Sequence, residues 1–385
     1  MLKILTIIGA RPQIIKAAAI SRAIKNHYSN QINERIIHTG QHYDEAMSQV
    51  FFNELDIPKE AHNLNVGSGA HGTQTGKMII AIEEVVLKEQ PDALLLYGDT
   101  NSTLAGSIVA SKLQIPIIHI EGGVRSGKKN IPEEMNRITC DHLSTLIFCP
   151  THTGIENLKK EGFNLLEVTN PTITRPNVYY CGDIMYDNSL FFKEKALINS
   201  HKINNLGLEP NNYILATIHR DINTDNKVHL QAIFEALNTI ATKGQKVVLP
   251  IHPRTKKMMH NLEPAFLEEI YQNENFIITE PASFLGITAL EAHAKMIITD
   301  SGGVQKEAYY FNKPCIILVE ETAWKELEAT GSAILTGADK DKILKAHEFF
   351  STHLEQLKFP LIFGDGKAAE FTCEKIIQCL SKKQN

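Results

Sequence analysis

No apolar run in this chain approaches the ~20 residues that a bilayer-crossing helix needs, so no membrane partner is expected. Nor does Met1-Leu2-Lys3-Ile4 open a signal peptide; it leads straight into a strand pattern, and the expected compartment is the cytoplasm. The six cysteines (Cys140, Cys149, Cys181, Cys315, Cys373, Cys379) contain no CxxC pair, and several sit in apolar runs, which reads as buried free thiols. Sixteen histidines are scattered without HExxH spacing or a paired His/carboxylate cluster, so no metal is expected. Excess positive charge is missing too. A net charge of -5 argues against nucleic acid as the main partner, although local basic clusters can still hold a small anion.

What is present is a globular composition, 43% hydrophobic and 22% charged, over 385 residues, more than one ordinary core. Leu2 to Ile8 is a largely apolar run that ends at Gly9-Ala10-Arg11-Pro12 before a helix rich in Ile and Ala, the βα unit of a parallel sheet. The alternation recurs, with strands near 34–39, 93–97, 116–120 and 145–150 and helices near 44–54, 73–90, 102–113 and 132–144. Between 163 and 180 it fails, and two prolines among Asn and Thr residues read as a loop. It restarts with strands near 213–218, 246–251, 276–279, 296–300 and 315–319 and helices near 226–243, 284–294, 302–311 and 322–330. Gly366 to Lys383 reads as an amphipathic helix that docks on the first domain. The expectation is two Rossmann-like, doubly wound α/β domains at 1–182 and 183–365, an interdomain cleft, and a returning helix at 366–385.

Polar clusters fall just after the strands, where open α/β sheets place their ligands. Ile297-Ile298-Thr299 stops at Asp300, turns on Ser301-Gly302-Gly303 and restarts with helix formers. There Ser301 can cap the helix, the glycines admit a ligand, and the first-turn amides suit a phosphate. Glu307 lies one turn on, where a carboxylate can take a ribose diol. A capped helix after a buried strand accounts equally well for this segment taken alone. Ile218-His219-Arg220 and Ile251-His252-Pro253-Arg254 each add His and Arg after a strand, further donors for a diphosphate.

The first half supplies carboxylates. Asp99 follows one strand in Gly98-Asp99-Thr100-Asn101-Ser102, Glu121 follows the next in His119-Ile120-Glu121-Gly122-Gly123, and Glu133 opens a helix after Pro132. Convergence of the three at one sheet edge would push their pKa values apart and give one site a proton acceptor and a donor. Arg11 and Lys16, one turn apart after the first strand, can face the same edge and hold phosphate oxygens; a solvated helix start weighs about evenly against that.

Gly9-Ala10-Arg11-Pro12, His38-Thr39-Gly40-Gln41-His42, Gly98-Asp99-Thr100-Asn101-Ser102, Glu121-Gly122-Gly123-Val124-Arg125, Pro132-Glu133-Glu134-Met135-Asn136-Arg137, Thr217-Ile218-His219-Arg220 and Asp300-Ser301-Gly302-Gly303-Val304-Gln305-Lys306-Glu307 appear in order. Together they resemble the non-hydrolysing UDP-N-acetylglucosamine 2-epimerases over nearly the whole chain. The resemblance implies a glycosyltransferase-B-like fold and, as a rule, a homodimer. It implies interconversion of UDP-GlcNAc and UDP-ManNAc without metal or nicotinamide, by elimination of UDP to a 2-acetamidoglucal and re-addition. It gives Asp99, Glu121 and Glu133 as acid/base residues, His219 beside the diphosphate with Arg11 and Lys16 as charge partners, Ser301, Gly302 and Gly303 on phosphate, and Glu307 on the ribose.

The chain departs from the family at Glu121-Gly122-Gly123, where Glu-Ala-Gly is usual, and at Tyr43, which follows Gln41-His42 where substrate-activated bacterial members carry Gln-His-Arg. Gly182-Asp183-Ile184-Met185-Tyr186-Asp187, His252-Pro253-Arg254-Thr255 and Glu321-Thr322-Ala323-Trp324-Lys325-Glu326 are similar to the branch acting on UDP-2,3-diacetamido-2,3-dideoxyglucuronic acid. Four readings remain open at this level: an epimerase feeding cell-surface polysaccharide synthesis, a glycosyltransferase, a non-catalytic UDP-sugar sensor, and a hydrolysing epimerase.

Overall fold

The computed structural model describes residues 1–40, 57–198 and 206–381. The chain divides into two compact units, Met1–Asn188 with the segment from Leu361 onward, and Ser189–Pro360. The helix expected near 44–54, and Gln41, His42 and Tyr43, lie outside the described residues.

The first unit holds a wholly parallel sheet of Leu2–Ile8 (β1), Ile32–His38 (β2), His62–Asn63 (β3), Ala93–Tyr97 (β4), Ile117–Ile120 (β5), Leu146–Cys149 (β6) and Asn177–Tyr180 (β7). Their spatial order is β3-β2-β1-β4-β5-β6-β7 among the described residues. The apolar strands form because helices cover both faces: Leu94, Leu95, Leu96 and Tyr97 are all inaccessible to solvent. One side of the core joins Leu5, Ile7, Leu94 and Leu96 to Met78, Ile82 and Val86 of the helix His71–Glu89.

The second unit repeats the scheme with Tyr213–Thr217 (β8), Lys246–Pro250 (β9), Phe276–Thr279 (β10), Met296–Thr299 (β11), Cys315–Ile317 (β12) and Ala333–Leu335 (β13), all parallel. Their order is β10-β9-β8-β11-β12-β13. The helices Lys227–Thr242 and Lys340–His353 bury Phe234, Leu237, Ile343 and Phe350 against this sheet. Both sheets thus reverse their winding once, between β1 and β4 and between β8 and β11. Those are the switch points where α/β sheets bind ligands.

Three departures from the sequence reading have physical causes. Inside the expected loop, Asn177 starts β7, and its side chain pairs with the Val168 backbone, donating to the carbonyl at 2.9 Å and accepting from the amide at 2.8 Å. A polar residue doing the work of a neighbouring strand hides the strand. Second, the helix expected near 322–330 shortens to Lys325–Ala329, because Trp324 has a non-helical backbone. Third, the helices His152–Lys160, Ile184–Ile198, Pro264–Gln272 and Lys340–His353 complete the alternation where the sequence reading placed none. The helix Ala368–Leu380 packs in the first unit beside the helix Arg11–Ala23. Its first amides, of Ala368 and Ala369, donate to the Asp187 carboxylate at 3.2 and 2.7 Å.

Candidate active site

At the first unit's switch point Gln13 ties the two strand ends together. Its side-chain oxygen accepts from the Gly9 and Ala10 amides at 2.9 and 3.2 Å, and its nitrogen donates to the Tyr97 carbonyl at 3.0 Å. Gly98 then turns with a φ of 60°, and Asp99 follows. A Cβ on Gly98 would lie 3.1 Å from Lys16 Nζ and 3.6 Å from Glu121 Oε2, so these two side chains close over the turn.

Glu121 has a φ of 72°, left-handed backbone on a residue with a side chain. Such a conformation costs about 1–3 kcal/mol and persists where its surroundings over-determine it, as functional sites do. Here the Gly98 amide donates to the Ile120 carbonyl at 3.0 Å and the Gly122 amide to the Phe148 carbonyl at 2.9 Å, pinning the strand on either side. Lys16 Nζ is ion-paired to the Glu121 carboxylate, both largely buried.

Arg137 supplies the second cation. It pairs with Asp99 and with Glu134, the latter at 3.0 Å, and Asn136 donates to the Asp99 carbonyl at 2.8 Å. Burial works against the Arg137 charge, but the carboxylates of Asp99 and Glu121 outweigh it and raise its pKa. The edge is therefore an alternation of Lys16, Glu121, Arg137 and Asp99, in which Lys16 had been expected to face the carboxylates and Arg137 had not. Glu133 is exposed in the first turn of the helix Pro132–Leu143. Its neighbour Glu134 turns inward, accepting from the Ser126 and Gly127 amides at 2.9 Å each, and serves as a brace. Arg11 lies exposed at the start of its helix, one turn before Lys16.

The second unit's switch point is organised by Asp300, which has no solvent exposure. Its carboxylate accepts from the His219 amide at 3.0 Å, the Arg220 amide at 3.0 Å and Asn223 Nδ2 at 3.1 Å. The His219 ring lies with Nδ1 3.7 Å from Asp300, and 5.3 Å from the His252 ring between centroids. Ser301 is the N-cap of the helix Gly302–Tyr310, but its hydroxyl makes no capping bond, contrary to the sequence reading. That leaves the first-turn amides of Gly303 and Val304 without the usual side-chain acceptor, the condition for an anion to take its place. A Cβ on Gly302 would lie 3.5 Å from Arg220 Nη2, which brings that guanidinium to the same turn. Behind it Lys306 stacks over Trp324, Nζ to ring centroid 4.0 Å.

Glu307 is half-buried on the same helix and hydrogen-bonded to Glu291, which is 1% exposed. Burial, and then the Glu307 charge, push the Glu291 carboxyl well above its ordinary range, so Glu291 keeps its proton and donates it to Glu307. Neither Glu291 nor Asp300 had been given a role. Glu291 sits in a helix of apolar residues, where only three-dimensional proximity to Glu307 reveals it. Arg137 had a sequence signal, standing three residues after Glu134 and four after Glu133 on one helix face.

A model of the UDP-N-acetylglucosamine 2-epimerase family matches residues 23–381. The UDP-2,3-diacetamido-2,3-dideoxy-D-glucuronate 2-epimerase of Pseudomonas aeruginosa is 44% identical over 346 residues, covering 90% of this chain and 91% of that one. The UDP-N-acetylglucosamine 2-epimerase of Methanocaldococcus jannaschii is 40% identical over 378 residues, covering 96% and 97%. A crystal structure of the Methanocaldococcus jannaschii UDP-GlcNAc 2-epimerase in complex with UDP-GlcNAc and UDP superposes with a TM-score of 0.82 at 39% identity, covering 97% of this chain and 99% of that one. With both parallel sheets, the ordered motifs and near-complete coverage in agreement, the chain belongs to the UDP-N-acetylglucosamine 2-epimerase family.

Proposed function

We infer that this protein inverts C2 of a UDP-linked 2-acetamido sugar, interconverting UDP-N-acetylglucosamine and UDP-N-acetylmannosamine. The observation that carries this reading is the first unit's edge, where two carboxylates just past the ends of adjacent strands, Asp99 and Glu121, each meet a cation, Arg137 and Lys16. The C2 proton has no neighbouring carbonyl to acidify it, so direct abstraction to a stabilised carbanion is closed. Elimination is open: a base takes the C2 proton, the C1–O bond breaks with its electron pair leaving on UDP, and a 2-acetamidoglucal forms. A proton then reaches the opposite face of C2 as the UDP oxygen re-adds to C1. Asp99, Glu121 and Glu133 divide the proton transfers, and the cations hold Asp99 and Glu121 in orientation.

The diphosphate belongs with the second unit's edge. The Ser301-Gly302-Gly303 turn, Arg220, His219 and His252 supply donors, and Glu307 takes the ribose hydroxyls. Departing UDP is the charge that this set stabilises. A second reading, UDP-2,3-diacetamido-2,3-dideoxyglucuronic acid as substrate, is favoured by the 44% identity to the Pseudomonas aeruginosa relative.

A reducing compartment, the cytoplasm, is supported by the six unpaired cysteines. A homodimer is supported by Ile80 and Leu87, exposed two turns apart on the helix His71–Glu89. Proton NMR in deuterated water with each UDP-sugar tests reaction and substrate together. Deuterium at C2 with UDP-ManNAc appearing supports the first reading, exchange confined to the diacetamido uronate supports the second, and exchange with neither refutes both. Light scattering of the purified protein tests the dimer.

A further inference from the structure

Beneath the two carboxylates lies a group that the reaction as described does not use. His119, in β5, is wholly buried, as is Asp141 in the helix Pro132–Leu143. The ring's Nδ1 is 2.7 Å from Asp141 Oδ1, and its Nε2 is 2.9 Å from the Gly98 carbonyl oxygen. A backbone carbonyl only accepts, and an ionised carboxylate only accepts, so both ring nitrogens must carry hydrogen. Asp141 is held ionised by its other partners: the Gly123 amide donates at 3.0 Å and Arg125 Nη1 pairs at 2.8 Å. Arg125 is itself paired to Glu161 at 2.7 Å.

The two ends of this dyad fall on the two turns that present the acid/base residues. Gly98 is the left-handed residue just before Asp99, and Gly123 is the left-handed residue two after Glu121. We propose that His119 is a positioning residue of the epimerase reaction, a permanent imidazolium that with Asp141 locks the Gly98 and Gly123 turns and so sets Asp99 and Glu121 in register for proton transfer at C2. The inference rests on the reading of Asp99 and Glu121 as the proton-transfer pair.

A second observation leads to the same dyad. The family's usual alanine is replaced here by Gly122, and a Cβ there would come 2.9 Å from Asp141 Oδ1 and 2.3 Å from Ile147 Cγ2. The glycine makes room for the carboxylate that holds the ring. Burial opposes a charged imidazole, yet the interactions with Cys140 and Asp141 raise its pKa well above the ordinary value.

The direct test is nitrogen-15 NMR of histidine-labelled wild-type protein. Two ring N–H signals assigned to His119, persisting to mildly alkaline pH, are expected; a ring with one protonated nitrogen would overturn the proposal. The functional test is His119→Gln and Asp141→Asn, each checked for folding by circular dichroism. In both, C2 exchange should fall about a hundredfold in kcat, the scale of a misplacement near 1 Å, with KM and UDP affinity unchanged. Full kcat in both variants would contradict it, as would a loss confined to KM. Absence of exchange in the wild type would instead refute the epimerase reading and leave the NMR result standing as a statement about the dyad.

Discussion

The two units use one plan and opposite electrostatics. Each has a sheet that reverses its winding once, and each has a wholly buried aspartate that braces strand-end turns: Asp141 the turns after β4 and β5, Asp300 the turn after β8. In the first unit that aspartate is answered by full charges, His119 and Arg125, and the residues above it are answered too, Glu121 by Lys16 and Asp99 by Arg137. In the second unit Asp300 is answered chiefly by amide N–H groups, and the donors above it face outward, with Ser301 declining to cap its helix. An edge that moves protons needs its own charges fixed in place and balanced. An edge that receives a diphosphate does better to leave donors for the ligand.

The largest effect should come from breaking the first edge. Glu121→Gln should lower kcat for C2 exchange by about 10²–10⁴, the range of a lost acid/base residue, while UDP binding by calorimetry stays unchanged. Equal loss of UDP affinity would erase the division between the units. Asp300→Ala attacks the second edge: it strands three donors, the His219 and Arg220 amides and Asn223 Nδ2. At about 1–3 kcal/mol for each buried unsatisfied group, thermal unfolding should show a clear loss of stability, and UDP affinity should fall at least about tenfold with it.

Two buried carboxyls sharpen the comparison at smaller amplitude. Burial pushes Asp187 of the first unit up from 3.8 to about 7, although the Ala368 and Ala369 amides pull the other way. Its folded-state pKa exceeds the unfolded one, so its stabilising contribution is complete below about 4 and is lost as pH rises through about 7. Chemical denaturation should therefore show stability declining across that window, by no more than about 1.4 kcal/mol per pH unit, and Asp187→Asn should flatten the slope. The smallest effect is expected for Glu291→Gln in the second unit. Because Glu291 already donates a proton to Glu307, the amide reproduces its role, and stability should stay within about 0.5 kcal/mol with UDP affinity unchanged.

What was legible in the sequence was whatever local pattern encodes. Apolar runs such as Leu2 to Ile8 announced strands, and the polar residues Asp99, Glu121, His219 and Ser301 stand just after strands, as the sequence pattern placed them. What was hidden depends on distant partners. Asn177 reads as loop because its amide group stands in for a strand's backbone, pairing with Val168. Asp141 reads as a helix residue because its partners His119 and Arg125 come from another strand and a loop. Ser301 reads as a cap because serine at that position usually is one. The positive φ of Glu121 has no sequence signature at all; glycine at Gly98 and Gly123 announces the same conformation beside it.

The central claim is that proton transfer at C2 belongs to the first unit's paired carboxylates. The most direct test is deuterium incorporation at C2 of UDP-GlcNAc and of the diacetamido uronate, in wild type and in Glu121→Gln. Exchange in the wild type that is lost in the variant, with UDP still bound, is predicted. Undiminished exchange in the variant, or none with either sugar in the wild type, would contradict the account.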